Sequence, residues 1–261
     1  MMLQPLRLVI SKTSAVDGVV ANIDRNSKRG LREFQPALIS HDGTFVVVGS
    51  GPSLAGFADE IRGEKAKGRP ICAIKGAHDW LCEQGIEPDL FFSIDPRDRR
   101  NNVQRKTERT VYLLASRCAP EMFEHLKDRQ IVLVHTLSSD EENTWYVNKG
   151  KYLVGGTSTS GMRAFNIAYW WGFRKFIMFG MDSCNAPDGV TKRIDGSLTG
   201  QTTDVIIGKT GRKFICNIAM AKQAEDFQKL WQMMPDIHIE SHGDGLLTAI
   251  LEERKARGFR V

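Results

Sequence analysis

The chain lacks paired cysteines. Its 261 residues contain five cysteines that are scattered and never form a CxxC pair: Cys72, Cys82, Cys118, Cys184 and Cys216. Zinc sites and disulfide frameworks need closely spaced or even-numbered cysteines, so both are disfavoured, and a reducing cytoplasm is the expected compartment. Isolated cysteines of this kind usually pack as small apolar side chains.

Long apolar runs are also missing. The longest, such as Phe45–Val48 and Phe176–Met181, have the length of strands. They fall far short of the roughly 20 residues that a membrane-spanning helix needs. The first residues, Met-Met-Leu-Gln-Pro-Leu-Arg, show no secretory pattern. We therefore expect no membrane partner and no export.

Several motifs of well-known enzymes are absent: a Ser–His–Asp spacing, an HExxH pair and a Walker A lysine. What is present is an ordinary globular composition, with 41% hydrophobic and 26% charged residues, enough for one domain with a sizeable core. The net charge of +5 favours anionic ligands but is too small to establish nucleic-acid binding.

Basic residues are concentrated just after one predicted strand. Such a run is either a solvated helix face or a surface that faces phosphates, which would leave nucleic acid open as a partner. The run consists of Arg97, Arg99, Arg100, Arg105, Lys106 and Arg109.

From Thr44 onward, short β-rich runs alternate with amphipathic segments, and several runs lack strict polar alternation. This pattern predicts an α/β, Rossmann-like fold with a mostly parallel sheet and helices on both faces. Residues 1–43 are expected to form an N-terminal extension packed on the core, and residues 44–261 the Rossmann-like domain. The predicted strands are Phe45–Val48, Pro70–Ile74, Leu90–Ile94, Thr110–Ala115, Ile131–Val134, Lys175–Phe179 and Asp236–Glu240. The predicted helices are Ala15–Arg29, Ala55–Lys67, Ala77–Gln84, Pro120–Lys127, Thr159–Trp171, Ile218–Met234 and one from Leu246.

Residues 183–212 interrupt this alternation. They are rich in Gly, Thr, Asp and Lys and run about 30 residues without a clear helix, which is unusual in a compact domain. Two interpretations stand: a mobile flap that closes over bound ligand, or an ordered hairpin made of Val190–Ile194 and Asp204–Ile207.

The end of the first predicted strand carries the sequence Gly-Ser-Gly-Pro-Ser. Glycines allow a close backbone approach, proline suits a first helical position, and a new helix offers free N–H groups to an anion. The third glycine of a dinucleotide fingerprint is missing. The turn is therefore either a nucleotide cradle or a tight connection without a ligand. Its residues are Gly49, Ser50, Gly51, Pro52 and Ser53.

Asp95 ends a second strand and is followed by proline. Ligands of open α/β sheets bind outside the carboxyl ends of the strands. Asp95 is a candidate to hold a ribose hydroxyl, to coordinate Mg²⁺, or only to cap an arginine-rich helix after it.

A third cluster places hydroxyls and glycines before a long helix. It resembles a second anion or sugar cradle, although Ser158 or Thr159 alone would also serve as a helix N-cap. Asp182 then follows a strand and Gly180, where it is expected to meet an acceptor. The candidate residues of the cradle are Gly156, Ser158, Thr159 and Ser160.

Candidates for acid–base chemistry are few. His242 lies at the end of the last predicted strand, and His78 begins a helix near the expected ligand edge. Either histidine is a catalytic candidate or an ordinary surface or hydrogen-bonded residue. The catalytic candidates chosen from the sequence are therefore Asp95, Asp182 and His242.

Taken together, the GSGPSL turn, the strand PDLFFSIDP and the segment GGTSTSGMRAFNIAYWWGFRKFIMFGMD resemble the 6-hydroxymethylpterin diphosphokinase MptE-like family. This family includes flagellin motility accessory factors and phage proteins. The resemblance spans nearly the whole chain and implies a nucleotide site and group transfer. There is a weaker similarity to bacterial CMP-sialyltransferases. Their histidine base has no counterpart, because Gln201 stands at the comparable place.

The leading hypothesis from the sequence is a nucleotide-dependent transferase that binds its donor at the GSGPSL turn. It would use a nucleotide or nucleotide-sugar, with or without Mg²⁺, and would move a glycosyl or diphosphate group to an unknown acceptor. The alternatives are an inactive nucleotide-binding or scaffold protein, and a phage transferase that acts on modified DNA bases. A homo-oligomer remains open.

Overall fold

The computed structural model describes residues 18–37, 39–137, 150–207 and 210–261. Its centre is a nine-stranded sheet in which every pairing is parallel. The strands are β1 (Arg32–Glu33), β2 (Thr44–Val48), β3 (Ile71–Ile74), β4 (Leu90–Ser93), β5 (Val111–Ala115), β6 (Ile131–Thr136), β7 (Leu153–Val154), β8 (Lys175–Phe179) and β11 (His238–His242). Their order in the sheet is β1-β6-β5-β4-β3-β2-β8-β11, with β7 also paired to β6. This confirms the predicted α/β, Rossmann-like fold.

Both faces of the sheet are covered, which is why its strands are continuous apolar runs. Along β2, Phe45 and Val47 belong to one apolar cluster, whereas Val46 and Val48 belong to another. Alternate side chains of a strand point to opposite faces, so these two clusters are the two layers of the core.

The helices flank this sheet. The α-helices are α1 (Val19–Ser27), α2 (Ala58–Ala66), α3 (Ala77–Glu83), α4 (Pro120–His125), α5 (Ser160–Trp170), α6 (Ile218–Gln228), α7 (Leu230–Met233) and α8 (Leu246–Ala256). On one face a 3₁₀ helix (Pro52–Phe57) leads into α2, and on the other α5 packs against β2, β3 and β4.

Several local predictions need correction. The helix expected from Ala55 begins as the 3₁₀ helix, and the helix expected over Ile218–Met234 is divided into α6 and α7. No arginine-rich helix follows Asp95; the chain there forms a loop with a 3₁₀ turn at Arg100–Asn102. The predicted helix Ala15–Arg29 is observed as α1, and its part before residue 18 lies outside the described residues.

The edge of the sheet contains two short strands that the sequence pattern did not reveal. β1 pairs with the first half of β6 and β7 with its end. Phe34, which follows β1, packs on Trp171 with ring centroids 5.4 Å apart. Two-residue strands are too short for hydrophobic periodicity to identify them.

Residues 183–212 contain part of a two-stranded sheet outside the main one. β9 (Thr203–Ile206) pairs antiparallel with β10 (Lys213–Cys216). The expected partner of β9, Val190–Ile194, does not pair with it; Thr191 instead makes an isolated bridge to Leu198. Whether this segment moves stays a prediction.

The topology changes direction between β2 and β8. From β2 the chain builds the sheet outward through β3 to β6, and it then returns to place β8 on the other side of β2. The connections diverge at this point and leave a crevice beyond the carboxyl ends of the two strands, where ligands of such sheets bind. In the described parts of the chain, no helix has the length and apolarity needed to cross a membrane.

Candidate functional site

A cavity of about 190 Å³ lies at this change of direction. Its wall is formed by the ends of β2, β3 and β8, the first residues of α5 and α6, and the loop that carries Lys192 and Arg193. A larger, mainly apolar groove of about 830 Å³ runs between β9, α6 and α8, and none of the sequence-predicted site residues lines it.

Two helix N-termini meet at this cavity. Thr159 is the N-cap of α5 and Asn217 that of α6, and each side chain accepts a hydrogen bond from a backbone N–H in its first turn. Ser160 and Gly161 of α5 also line the cavity. N–H groups at the start of a helix have no intrahelical acceptor, and the helix dipole favours negative charge there. The cavity is therefore suited to an anion.

Two unusual backbone conformations also lie at this cavity. Among the described residues, only Lys75 and Ser183 are non-glycine residues in the left-handed region, with φ of 54° and 53°. Both line the cavity, Lys75 after β3 and Ser183 after β8. Such conformations cost free energy and concentrate at ligand sites. Ser183 is 9% exposed, and its hydroxyl has no hydrogen-bond partner in the described chain.

Lys75 is the titratable group that best fits a binding role. Its amine makes no hydrogen bond or ion pair to any described residue, whereas Lys65, Lys151 and Lys222 each form an ion pair. Burial and, to a smaller extent, the nearby charge of Arg193 together lower the pKa of Lys75 to about 8. An anion beside the amine would relieve both effects.

In the predicted nucleotide cradle after β2, two backbone N–H groups already donate to acceptors within the protein. The N–H of Gly49 donates to the Phe179 carbonyl at 2.8 Å, and that of Gly51 donates to the Gly180 carbonyl at 2.8 Å. A Cβ on Gly51 would lie 2.6 Å from the same Gly180 oxygen. The glycines therefore let the β2 and β8 turns approach each other closely.

Asp182 holds these two turns together. One carboxylate oxygen accepts from the Ser53 hydroxyl at 2.6 Å and the other from the Ser53 N–H at 2.9 Å. Burial raises the pKa of Asp182, and the two bonds from Ser53 offset this only in part. Both oxygens are thus engaged, although Asp182 lines the cavity.

Asp95 is buried between two arginines. It accepts from Nε and Nη2 of Arg97 at 2.8 and 2.9 Å, and from Nε of Arg99 at 2.9 Å. Burial raises the pKa of Asp95, but the bonds from Arg97 and Arg99 outweigh it, and the pKa lies below its ordinary value. A carboxylate held this way is a poor ligand for Mg²⁺. The described residues contain no group of three or more His, Cys, Asp or Glu side chains placed to bind a metal.

The residues of the predicted cradle before α5 have different roles in the structure. The N–H and hydroxyl of Ser158 both donate to Asp226, at 3.0 and 2.6 Å. The Ser160 hydroxyl accepts from the Ile94 N–H at 3.2 Å, which ties α5 to the end of β4. Gly156, with φ of 111°, packs against the Asn166 amide. Among the serine and threonine residues here, only Thr159 and Ser160 line the cavity.

Neither candidate histidine reaches the cavity. His242 stacks on Phe179 with ring centroids 4.5 Å apart, and its Nε2 lies 2.9 Å from a Glu240 oxygen. His78 is fully buried, with Nδ1 3.0 Å from an Asp79 oxygen. His78 is thus a hydrogen-bonded core residue.

The basic run after β4 is matched by carboxylates. Each of its six cations makes an ion pair, and Asp95 serves two of them. Its side chains lie on a loop and not on one face of a helix. The run therefore presents less unpaired positive charge than its composition indicates.

The structure therefore brings together only part of the set chosen from the sequence. Six of those residues line the cavity: Gly49, Ser50, Gly51, Thr159, Ser160 and Asp182. Pro52, Ser53, Gly156, Ser158, Asp95 and His242 do not. Sequence reasoning missed Lys75, Ser183 and Asn217. Lys75 directly follows an apolar strand, so the rule that selected Asp95 also applied to it.

Comparison with known proteins is consistent with this fold. The model of the family described as 6-hydroxymethylpterin diphosphokinase MptE-like matches residues 18–188. The chain belongs to this family. No curated protein sequence matches it.

Among solved structures, the chain is similar to the Maf glycosyltransferase from Magnetospirillum magneticum AMB-1, with a TM-score of 0.66 and 14% identity. The match covers 93% of this chain and 42% of that one, so the chain spans less than half of the larger protein. At this identity the likeness concerns the fold.

Proposed function

We propose that this MptE-like protein binds the phosphate of a nucleotide donor in the cavity between β2 and β8 and transfers a glycosyl group from it. The observation that carries the proposal is the convergence of two helix N-termini with the unpaired amine of Lys75. The glycosyltransferase fold of the structural neighbour and the family's description support group transfer.

The chemistry follows from the charges. When a glycosyl group leaves a phosphate, negative charge grows on the phosphate oxygens. N–H groups at the start of α5 and α6, together with Lys75, would stabilise that charge in a fixed arrangement. The cavity supplies cations next to the anion, and the nearest carboxylates are engaged by Ser53 and by arginines. This favours glycosyl transfer over a metal-dependent diphosphate transfer.

A direct test is a thermal-shift and calorimetric screen of inorganic phosphate, nucleoside mono-, di- and triphosphates, and nucleotide-sugars, with and without Mg²⁺. A ligand at a hundredfold excess over its Kd adds about 2.7 kcal/mol to the stability. We expect Lys75→Met to weaken binding at least tenfold. Lys127→Met, an exposed lysine after α4, is the control. Equal affinities of both variants and the wild type would contradict the proposal.

A second candidate is a nucleotide-binding protein without turnover. The observation in its favour is that none of the three catalytic candidates is free in the cavity. Asp95 is bound by arginines, Asp182 is bound by Ser53, and His242 stacks on Phe179 outside the cavity. Release of free nucleotide from a bound nucleotide-sugar, measured with and without acceptor extracts, separates the two. Binding without any release would favour the second candidate.

A further inference from the structure

The apolar groove between β9, α6 and α8 has no part in the proposed function. Its volume of about 830 Å³ lies within the range that is typical of small-molecule sites. Ala219, Met220 and Gln223 of α6 line the cavity between β2 and β8, whereas Ala221 and Ala224 of the same helix line the groove. The cavity and the groove therefore lie on opposite faces of α6.

Most of the surface of the groove is apolar. Leu246 and Ile250 of α8 line it, and three further apolar side chains that line it are exposed: Ile206 by 64%, Ile218 by 46% and Phe259 by 57%. Exposed apolar side chains that cluster around a concave surface mark contact with another molecule.

The negative charges of the groove are matched by cations. Three carboxylates line it, and each makes an ion pair within the chain. The pairs are Asp204 with Lys213 at 2.8 Å, Glu225 with Lys222 at 3.0 Å and Glu253 with Arg257 at 2.6 Å. Arg254 also lines the groove but makes no ion pair with a described residue. The charge that has no counterpart in the groove is therefore positive.

Arg254 is held in place mainly by aromatic rings. Its guanidinium lies 4.1 Å from the ring centroid of Trp231 and 5.4 Å from that of Phe259, and its Nη2 donates to the Arg260 carbonyl at 3.1 Å. The buried Nε has no hydrogen-bond partner in the described chain. Burial lowers the pKa of Arg254 below its ordinary value, and no carboxylate acts in the opposite direction. An anion in the groove would supply the missing acceptor and the missing charge.

We propose that this groove binds a linear amphiphile whose alkyl chain lies along α8 and whose carboxylate head pairs with Arg254. Leu246 and Arg254 are eight residues apart, which is about 12 Å along a helix, so the groove is long enough for an extended chain. A neutral ligand would leave the guanidinium without an anion, and a cationic ligand would be repelled by it. Free fatty acids have the required chemistry. The inference does not depend on the proposed function.

The test measures the affinity of the full chain for butanoate, hexanoate, octanoate and decanoate by calorimetry. All are kept below their critical micelle concentrations and at constant ionic strength, because salt screens the contact of the head. Each added CH₂ group that the groove buries should tighten binding by up to about fourfold. Decanol and decylammonium test the head. Decanoate should bind at least about tenfold more tightly than either, since a charged hydrogen bond supplies that much.

Substitutions in the groove locate the site. Arg254→Gln should weaken decanoate at least about tenfold and leave decanol within about twofold. Lys255→Gln is the matched control, because Lys255 is the next cation on α8, is exposed and does not line the groove. Ala221→Phe places a ring in the groove and should weaken both ligands. Melting temperatures are measured for each variant. If Arg254→Gln does not fold, Arg254→Lys keeps the charge and should keep part of the preference for decanoate over decanol.

Four results would overturn the inference. One is an affinity that does not change with chain length, and another is equal binding of decanoate and decanol to the wild type. A third is decanoate that competes with inorganic phosphate and is weakened by Lys75→Met, which would place its head in the cavity between β2 and β8. The last is a dimer, seen by light scattering, that binds no decanoate and dissociates in Ile206→Asp, which would mean that a second copy of the chain covers the groove. None of these results bears on nucleotide binding, which is measured separately.

Discussion

Ser53 and Asp182 are 129 residues apart and joined by two hydrogen bonds, from the Ser53 hydroxyl at 2.6 Å and from its N–H at 2.9 Å. This contact fastens the turn after β2 to the turn after β8, at the change of direction in the sheet. The two turns form one wall of the cavity. We therefore assign Asp182 a positioning role.

Asp182→Ala should destabilise the fold by about 1–3 kcal/mol, because it leaves the Ser53 N–H without its acceptor. Asp182→Asn should cost less than about 1 kcal/mol, since the amide can accept from that N–H. The raised pKa of Asp182 means that its charge lowers stability at neutral pH, and that this cost is lost as the pH falls through the folded-state pKa. Denaturant melts from pH 3 to 7 should show this dependence in the wild type but not in Asp182→Asn. A stable Asp182→Asn protein that binds donor normally but has no activity would indicate a catalytic role instead.

Substitution of Gly51 tests whether the turns after β2 and β8 must approach each other closely. From the sequence, replacing Gly51 with Val is expected to abolish nucleotide binding without unfolding the chain. In the structure a Cβ at this position would lie 2.6 Å from a backbone oxygen, so even Gly51→Ala should cost about 1–3 kcal/mol of stability. Gly56→Ala, where a Cβ meets nothing within 4 Å, is the control and should leave the melting temperature nearly unchanged. Similar melting temperatures for the two variants would show that the turns can separate freely.

The contrast between these residues shows what a sequence can and cannot predict. Apolar runs such as Phe45–Val48 identify buried parallel strands because the signal is local. The engagement of Asp182 by Ser53 is invisible to spacing, since it depends on which strands become neighbours. The sequence could have identified Lys75, because it directly follows an apolar strand as Asp95 does. Its unpaired amine and its left-handed backbone conformation, however, are visible only in the structure.

Asp95 should matter for stability more than for metal binding. The sequence predicts that Asp95→Asn keeps its stability and loses donor or metal affinity. The bonds from Arg97 and Arg99 predict instead a loss of about 1–3 kcal/mol at pH 7. Because the folded-state pKa is lowered, this contribution is present above the unfolded-state pKa and is lost as the pH falls through the folded-state value. Thermal melts from pH 2 to 7 measure it, and unchanged stability with lost Mg²⁺-dependent binding would restore the metal role.

Lys75 should also make stability rise with pH, but in an alkaline range and because its charged form is the destabilising one. Its folded-state pKa of about 8 lies below the ordinary value of 10.5, so the buried charge lowers stability below pH 8. Stability should therefore rise between about pH 8 and 10.5. Lys75→Met should be more stable than the wild type at pH 7, by up to about 3 kcal/mol, and equal to it above pH 10.5. Saturating inorganic phosphate should stabilise the wild type more than Lys75→Met and so reduce the difference in stability between them. If Lys75→Met is instead less stable than the wild type at pH 7, the amine has a partner that stabilises the fold.

Residues 183–212 are predicted to close over bound ligand. Lys192 and Arg193 line the cavity, yet the described residues of this stretch make few backbone bonds to the main domain, such as that from Ile194 to Ser50. Val190 and Leu198 are 49% and 63% exposed, so apart from Ile194, which packs on one of the two apolar clusters, little apolar burial holds residues 189–199 in place. An anion between the helix N-termini and these cations would add charged contacts to the segment, whereas the hairpin of β9 and β10 is already paired and should change less. Hydrogen exchange with and without the best nucleotide ligand decides the matter. Protection should rise over residues 189–199 and stay constant in α4, on another part of the sheet, and strong, equal protection of 189–199 in both states would identify a permanently ordered loop.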